Sequence, residues 1–438
     1  MSNKFSKEPS VHVGIMETKE LRFTLFGQFR LQDSLVEGPQ TATVAPDGSV
    51  VWNGDKYAEI IFEATSPECV FELEDVVIGV NFHWERKENQ RFKGDLKLIG
   101  GKTVTAIDIV PVEDYLASVI SSEMSATASL ELLKAHAVIS RSWLLAQLDK
   151  RGAKAAPSKM GTDTERIVWY DRDNHDQFDV CADDHCQRYQ GITRQTTPTV
   201  DQAVEATRGL VLTNKDGGLC DARFSKCCGG VFEEFENCWE PVHHHYLEVR
   251  RDSPAPNDYP ALTKEENARQ WILSAPEAFC NTTDSVILGQ VLNNYDQETN
   301  DFYRWTVEYS QNEIAELIKN RSGIDFGTIL ALEPVERGTS GRLIRMRIVG
   351  SKKTLVIGKE LEIRRTLSTS HLFSSAFVVE AGEAGADGAP VSFTLRGAGW
   401  GHGVGLCQIG AAVMGAKGYP YTDILSHYFP GADLTTLY

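Results

Sequence analysis

At Val112 the spacing of apolar residues changes from two to between three and four. That change restricts the chain to folds joining a β-rich part to packed helices. Before it, Val11-His-Val-Gly-Ile, Leu21-Arg-Phe-Thr-Leu-Phe, Ala58-Glu-Ile-Ile-Phe and Leu96-Lys-Leu-Ile alternate or run apolar, as strands with one or both faces covered do. Asp47-Gly48 is a hairpin-turn pair. After it, Tyr115, Leu116, Val119 and Ile120 recur at helical spacing, which predicts a helix from Val112 to Met124. A second helix is expected from about Leu130 to Leu148, with Ser129 as N-cap and Leu133, Ala137, Ser140 and Leu144 along one face. Glu123 falls at the joint between the two, where a side chain can be held rigidly while facing a cleft.

The rest of the chain reads as mixed structure. A polar stretch follows Arg151, and Gly209-Leu-Val-Leu-Thr reads as a strand. Beyond it, Glu266–Leu273 and Gln311–Lys319 read as helices, and Ile344–Val349 and Ala376–Val379 as strands. Gly382-Glu-Ala-Gly-Ala-Asp-Gly-Ala-Pro has the composition of a mobile loop. The expectation is an α+β protein with a β-rich N-terminal part (1–100), a mixed helical core begun in 101–239, an inserted α+β domain (240–390), and a glycine-rich return to the core (391–438).

A chain of 438 residues that is 42 % hydrophobic can bury two or three cores without staples. Its net charge of −17, from 61 acidic and 44 basic residues, repels phosphate backbones and argues against general nucleic-acid binding. No run approaches the roughly 18 apolar residues of a transmembrane helix. Met1 to Ser10 has no apolar core, so a secretory signal is not expected there. Of nine cysteines, seven lie between Cys181 and Cys280. An odd, clustered set reads as reduced thiols with a local purpose rather than a disulfide scaffold.

Three separated stretches carry the chemistry. The first is Pro111-Val-Glu-Asp-Tyr-Leu-Ala-Ser-Val-Ile-Ser-Ser-Glu123-Met124, continued by Leu133-Lys-Ala-His-Ala-Val-Ile-Ser-Arg141-Ser-Trp. The second is Ala222-Arg-Phe-Ser225-Lys-Cys-Cys228-Gly229-Gly230, and the third Gly397-Ala-Gly-Trp-Gly-His402-Gly-Val-Gly-Leu-Cys-Gln408-Ile-Gly410. Together with the ending Tyr421-Thr-Asp-Ile-Leu-Ser-His-Tyr-Phe-Pro-Gly and the segment Ser340-Gly-Arg-Leu-Ile-Arg-Met-Arg-Ile-Val-Gly, these resemble the SpoIID/LytB family over about Arg91 to Leu434. The resemblance implies cleavage of bacterial peptidoglycan glycan strands without water, leaving 1,6-anhydro-muramic ends, and an extracytoplasmic setting. It puts the family's catalytic Glu on Glu123, and on this reading Arg141, Ser225, His402 and Gln408 are candidate substrate contacts. Other members are described as enhancers of a cell-wall amidase, which implies a binding role and an amidase partner as the alternative.

The residues themselves fit that chemistry. Breaking a glycosidic bond needs a carboxylic acid to protonate the leaving oxygen; in a transglycosylase the same group can afterwards accept the proton of the attacking muramic 6-hydroxyl. Taken alone, Glu123 would read equally as a solvent-exposed helix end. The glycines of 397–410 let backbone approach a ligand closely, as in a sugar-binding floor presenting His402 and Gln408, or serve a tight turn that only packs. The core would be discontinuous, the Glu123 and His402 stretches meeting across the insertion.

His175-Asp-Gln-Phe-Asp-Val-Cys181-Ala-Asp-Asp-His185-Cys186 offers imidazole and thiolate donors suited to Zn²⁺. His175, Cys181 and Cys186 are the candidate ligands, leaving a position for His185, Glu123 or water. A disulfide or free buried thiols are the alternatives, and a zinc-dependent hydrolase is a further rival. His243-His-His245 reads as a polar loop, since adjacent residues cannot all face one ion, and Cys69 and Cys280 read as ordinary small buried residues. The chain departs from the resembling pattern at Ser125-Ala-Thr-Ala-Ser, at His136, and at Cys228 and Cys407, which stand where Ser is usual.

Overall fold

In the computed structural model the described residues are 5–79, 85–125, 127–150, 158–170, 175–183, 185–194, 197–255, 258–291, 301–386 and 388–438. The protein is α+β and divides into two compact units. One comprises Met1–Gly152, Asn174–Thr213 and Leu434–Tyr438; the other comprises Ala153–Asp173 and Asn214–Asp433.

The alternating segments of the first unit form an eleven-stranded sheet. Its order runs Val180–Cys181, Ser10–Thr18, Val104–Pro111, Asp95–Ile99, Glu59–Ala64, Glu20–Leu31, Ser34–Val44, Val50–Trp52 and Asp55–Tyr57. Val70–Ile78 also pairs with Glu20–Leu31 and carries Arg86–Lys93. Alternation fixes which face is buried: Leu21, Phe23 and Leu25 point inward, and Phe23 meets Phe62 at 5.4 Å. At the expected turn, Asp47 Oδ1 accepts from Ser49 N–H at 3.1 Å and Gly48 adopts φ +86°, a conformation that favours glycine.

Helices α1 (Val112–Glu123) and α2 (Leu130–Asp149) follow the change of period, and α3 (Pro198–Ala206) packs on both. Ser129 caps α2, its side chain accepting from Leu132 N–H at 3.3 Å. The sequence pattern indicates one apolar face, yet α2 is buried on nearly every side from Leu132 to Leu148. Its polar groups therefore need partners. Ser142 Oγ donates to Val138 O at 2.6 Å and accepts from Leu212 N–H at 2.8 Å, and Ser140 Oγ lies 3.2 Å from His136 Nδ1. A run of stacked rings, Phe71–Phe92–Tyr189–Tyr115, leads from the sheet to α1 at centroid spacings of 5.3, 5.8 and 5.1 Å.

The second unit holds a five-stranded sheet, ordered Lys159–Thr162, Glu165–Val168, Thr354–Gly358, Leu343–Gly350 and Ile329–Arg337. A three-stranded sheet of Arg304–Ser310, Ser392–Ala398 and Phe377–Ala381 completes its framework. Its helices are α4 (Phe235–Cys238), α5 (Glu265–Leu273), α6 (Ser285–Val291), α7 (Gln311–Ser322), α8 (Glu360–Thr366), α9 (Gln408–Ala416) and α10 (Tyr421–Tyr428). Trp305, Ile314, Ile318, Met346, Phe377 and Leu395 share one core. The stretch expected to be a mobile loop closes instead as a hairpin extension. Ala384 bridges Pro390, and Gly385 N–H donates to Ala389 O at 2.7 Å; Asp387 lies outside the described residues. No described helix is long and apolar enough to cross a membrane.

Candidate functional site

In the first unit, Glu123 is the last residue of α1. Met124 then turns to extended backbone (φ −116°, ψ 150°), its N–H donating to Ile120 O at 2.8 Å. Glu123 is partly buried. Tyr115, buried on the same helix, locates its surroundings: burial, then the charges of Cys186, Cys181 and Glu123, push the Tyr115 hydroxyl well above its ordinary value. That hydroxyl donates to Gln187 Oε1 at 3.3 Å, and Gln187 Nε2 donates to Ser140 O of α2 at 3.4 Å.

The two helices are locked by a buried ion pair. Arg141, fully buried in α2, donates through Nε and Nη2 to the two oxygens of Glu113 at 2.9 and 2.5 Å, and through Nη1 to Leu210 O at 3.0 Å. Tyr438 Oη also donates to Glu113, at 2.6 Å. With no solvent-accessible surface, Arg141 holds α1 to α2 and presents no donor outward.

His175, Cys181 and Cys186 come together, and His185 joins them: one ligand atom from each lies within 4.8 Å of every other. Cys186 Sγ is 3.5 Å from His175 Nε2 and 3.6 Å from His185 Nδ1, and Cys181 Sγ is 4.0 Å from His185 Nδ1. Tetrahedral zinc, with bonds of about 2.0–2.3 Å, sets its ligands roughly 3.3–3.8 Å apart; the donor set fits that ion in chemistry, and the two spacings from Cys186 Sγ fall in that range while Cys181 Sγ to His185 Nδ1 is wider. Cys186, then His175 and His185, hold the Cys181 thiol far below its ordinary value despite burial. The cluster is anchored at the sheet edge, where Val180 and Cys181 pair in parallel with Val13 and Gly14. A Cβ at Gly14 would lie 2.5 Å from the Phe178 ring, which stacks on His175 at 4.5 Å. The glycine thus lets Phe178 back the ligand.

In the second unit, the other two motif stretches meet. Phe224–Ser225 pairs in parallel with Leu406–Cys407, Cys227 bridges Trp400, and Glu233 bridges Val404. Ser225 Oγ is buried and has no hydrogen-bond partner among the described residues. His402 Nδ1 accepts from Val404 N–H at 3.0 Å, which puts the ring proton on Nε2, and the ring meets Trp239 edge-on at 4.8 Å. Burial, then Arg223, Arg364 and Arg342, push the His402 imidazole well below its ordinary value, so it is neutral. Gln408 opens α9 and is buried.

Sequence reasoning missed Arg342, which organises this stretch. Its guanidinium donates to Cys228 O and Ser340 Oγ at 3.0 Å and to Gly401 O at 3.2 Å. A Cβ at Gly403 (φ +78°) would come within 2.4 Å of it. At least this glycine therefore packs against Arg342 rather than against a ligand. The signal was Ser340-Gly-Arg342, a match inside the presumed insertion whose partner lay 60 residues away. The histidine loop is polar as expected, His243 Nδ1 lying 2.7 Å from Glu236 Oε1.

Residues 100–214 match the family described as Stage II sporulation protein, SpoIID. Residues 233–405 match a second family, described as a domain of unknown function (DUF8618). The chain is 25 % identical over 333 residues to the amidase enhancer of Bacillus subtilis (strain 168), covering 73 % of this chain and 40 % of that protein. It thus spans less than half the length of that relative. It is 24 % identical over 332 residues to stage II sporulation protein D of Bacillus amyloliquefaciens, covering 75 % of this chain and 76 % of that one. The Bacillus subtilis (strain 168) protein of the same name is 23 % identical over the same shares.

Proposed function

We propose that this chain, which carries a SpoIID domain over residues 100–214, cleaves peptidoglycan glycan strands by a lytic transglycosylase reaction. Glu123 acts first as general acid, giving its proton to the leaving glycosidic oxygen as the bond to the muramic C1 breaks. The carboxylate so formed takes the proton of the muramic 6-hydroxyl as that oxygen bonds to C1. The product ends in a 1,6-anhydro ring, no water is consumed, and Glu123 regains its proton.

The observation that carries this reading is that Glu123 ends α1, partly buried, and shares the surroundings of Tyr115 with the His/Cys cluster. The negative end of a helix dipole favours a carboxyl that must carry a proton, and the Arg141–Glu113 pair ties the first turn of α1 to α2. Arg141 is then a positioning residue. Ser225, His402 and Gln408 are the proposed glycan contacts of the second unit. His175, Cys181, His185 and Cys186 would hold zinc, which with all four bound would order the loop, and with His185 displaced could polarise a substrate oxygen.

Similarity to an amidase enhancer favours a second reading, in which the protein binds the wall and stimulates an amidase without cutting glycan. Mass spectrometry of glycan strands, with and without stem peptides, separates the two. Anhydro-muramic ends from the wild type and none from Glu123→Gln are expected. Reducing ends would mean hydrolysis, and cleavage that stops on metal removal with Glu123 intact would mean a zinc hydrolase. Binding by both proteins without cleavage would leave the enhancer reading.

A further inference from the structure

Cys280, which reads in the sequence as an ordinary buried thiol, packs in the second unit against Cys228, Cys407 and Asp252. The four come from separate stretches: the turn after Phe224–Ser225, the loop before α5, the loop after it, and the residue preceding α9. One ligand atom from each lies within 4.8 Å of every other. All four are buried, at 3 %, 0 %, 1 % and 0 % exposure for Cys228, Asp252, Cys280 and Cys407. We propose that these three thiolates and one carboxylate form a zinc site, distinct from the His175 cluster and independent of the catalytic reading above.

Two of the spacings are those of ligands on a tetrahedral ion. Zinc–sulfur bonds of about 2.3 Å place sulfurs roughly 3.7 Å apart; Cys228 Sγ and Cys280 Sγ are 3.5 Å apart, and Cys228 Sγ is 3.5 Å from Asp252 Oδ2. Backbone N–H groups point at the sulfurs as they do at thiolate ligands: Cys228 N–H at Cys407 Sγ (3.3 Å) and Gly230 N–H at Cys228 Sγ (3.4 Å). Asp252 is oriented as a ligand would be. Its Oδ1 accepts from Tyr428 Oη–H at 2.9 Å, and its Oδ2 from Cys280 N–H at 3.0 Å. Room for this arrangement is kept by Gly410 of α9, where a Cβ would fall 2.3 Å from Tyr428 Oη and 2.6 Å from Asp252 Oδ2. Asp252 has an imidazole beside it, His427 Nε2 at 3.4 Å from Oδ1, and the buried Cys227 thiol also lies against Cys280 and Cys407; a soft divalent cation at the centre neutralises the buried carboxylate and the thiolates that bind it together. Disulfides among these sulfurs would leave the buried Asp252 carboxylate without a cation.

The test uses the full chain carrying His175→Ala and Cys186→Ser, which disables the other cluster and leaves this one untouched. Purified under reductant, stripped with chelator and loaded with Zn²⁺ alone, it is expected to hold one zinc per chain by elemental analysis. Loaded with Co²⁺, it should show the visible bands of a tetrahedral ion and a strong thiolate charge-transfer band. Adding Cys280→Ser should abolish both. If the double variant fails to fold, wild type is compared with Cys280→Ser: the loss of one zinc per chain is expected, and an equal zinc content would sink the site. No metal in the folded double variant, metal retained after Cys280→Ser, or a disulfide joining any of Cys228, Cys280 and Cys407 to one another or to Cys227 in peptide maps of never-reduced protein would each overturn the proposal.

Discussion

Arg141 of α2 donates to both carboxylate oxygens of Glu113 in α1 while fully buried, so the helix that ends in Glu123 is positioned by a charge pair that solvent does not reach. Removing one partner leaves the other buried and uncompensated, a loss of about 3–5 kcal/mol. Glu113→Gln and Arg141→Met should each lower stability by that amount in urea unfolding, whereas Glu113→Leu/Arg141→Met should recover much of it. A loss below about 1 kcal/mol for the single variants would show that the pair does not hold α1 to α2.

Asp108 gives the first unit a pH signature. It is fully buried and accepts from Tyr189 Oη–H at 2.5 Å, and burial pushes its carboxyl well above the ordinary 3.8. An acid whose folded pKa is raised is protonated in the fold when the unfolded chain has already ionised. Its stability contribution is therefore intact below about pH 4 and declines as pH rises toward the folded pKa. Asp108→Asn keeps an acceptor for Tyr189 but cannot ionise. Relative to wild type it should gain stability as pH rises above about 4 and level off once the folded pKa is passed, measured by urea unfolding at fixed ionic strength. A gap that does not change with pH would mean that Asp108 stays neutral, or ionised, in both states.

What the sequence displayed and what it concealed divide along range. Period and caps are local, so α1, α2 with its Ser129 cap, the Asp47-Gly48 turn and α7 were legible. Pairings between distant segments were not. Nothing near Cys181 announces that it lies beside Gly14, and nothing near Cys280 announces Asp252. Burial on all sides of α2 was hidden too, because Arg141 and Ser142 lie off the face traced by Leu133, Ala137, Ser140 and Leu144 and read as solvent-facing until their partners Glu113, Val138 and Leu212 are known. The composition of 382–390 is that of a loop, but pairing of its flanking strands closes it.

Gly403 and Arg342 should behave as one unit. Gly403→Ala places a methyl 2.4 Å from the guanidinium at φ +78°. Overpacking costs about 1–3 kcal/mol, and left-handed backbone about 1–2 kcal/mol more for a non-glycine residue. Arg342→Ala alone should also destabilise, by leaving the Cys228 and Gly401 carbonyls buried without donors. In the double variant the clash is gone, so the two losses should fall short of additivity by at least about 0.5 kcal/mol. Strict additivity in thermal or urea unfolding would show that Gly403 is required for backbone conformation alone.

Phe178 links the sheet to the proposed zinc ligand His175, and Gly14 is the position from which to move it. A Cβ there must displace the ring by about an ångström to reach ordinary contact, since it starts 2.5 Å away, and His175 is stacked on that ring at 4.5 Å. Displacing a residue that orients a metal ligand typically weakens binding about 10–100-fold. Gly14→Ala should therefore lower zinc affinity at this cluster by that factor in chelator competition, and adding Phe178→Leu should restore part of it by removing the ring that clashes. The Cys280→Ser background keeps the second cluster from contributing to the readout. Unchanged affinity in Gly14→Ala would mean that His175 is held by its own loop, or does not bind the ion.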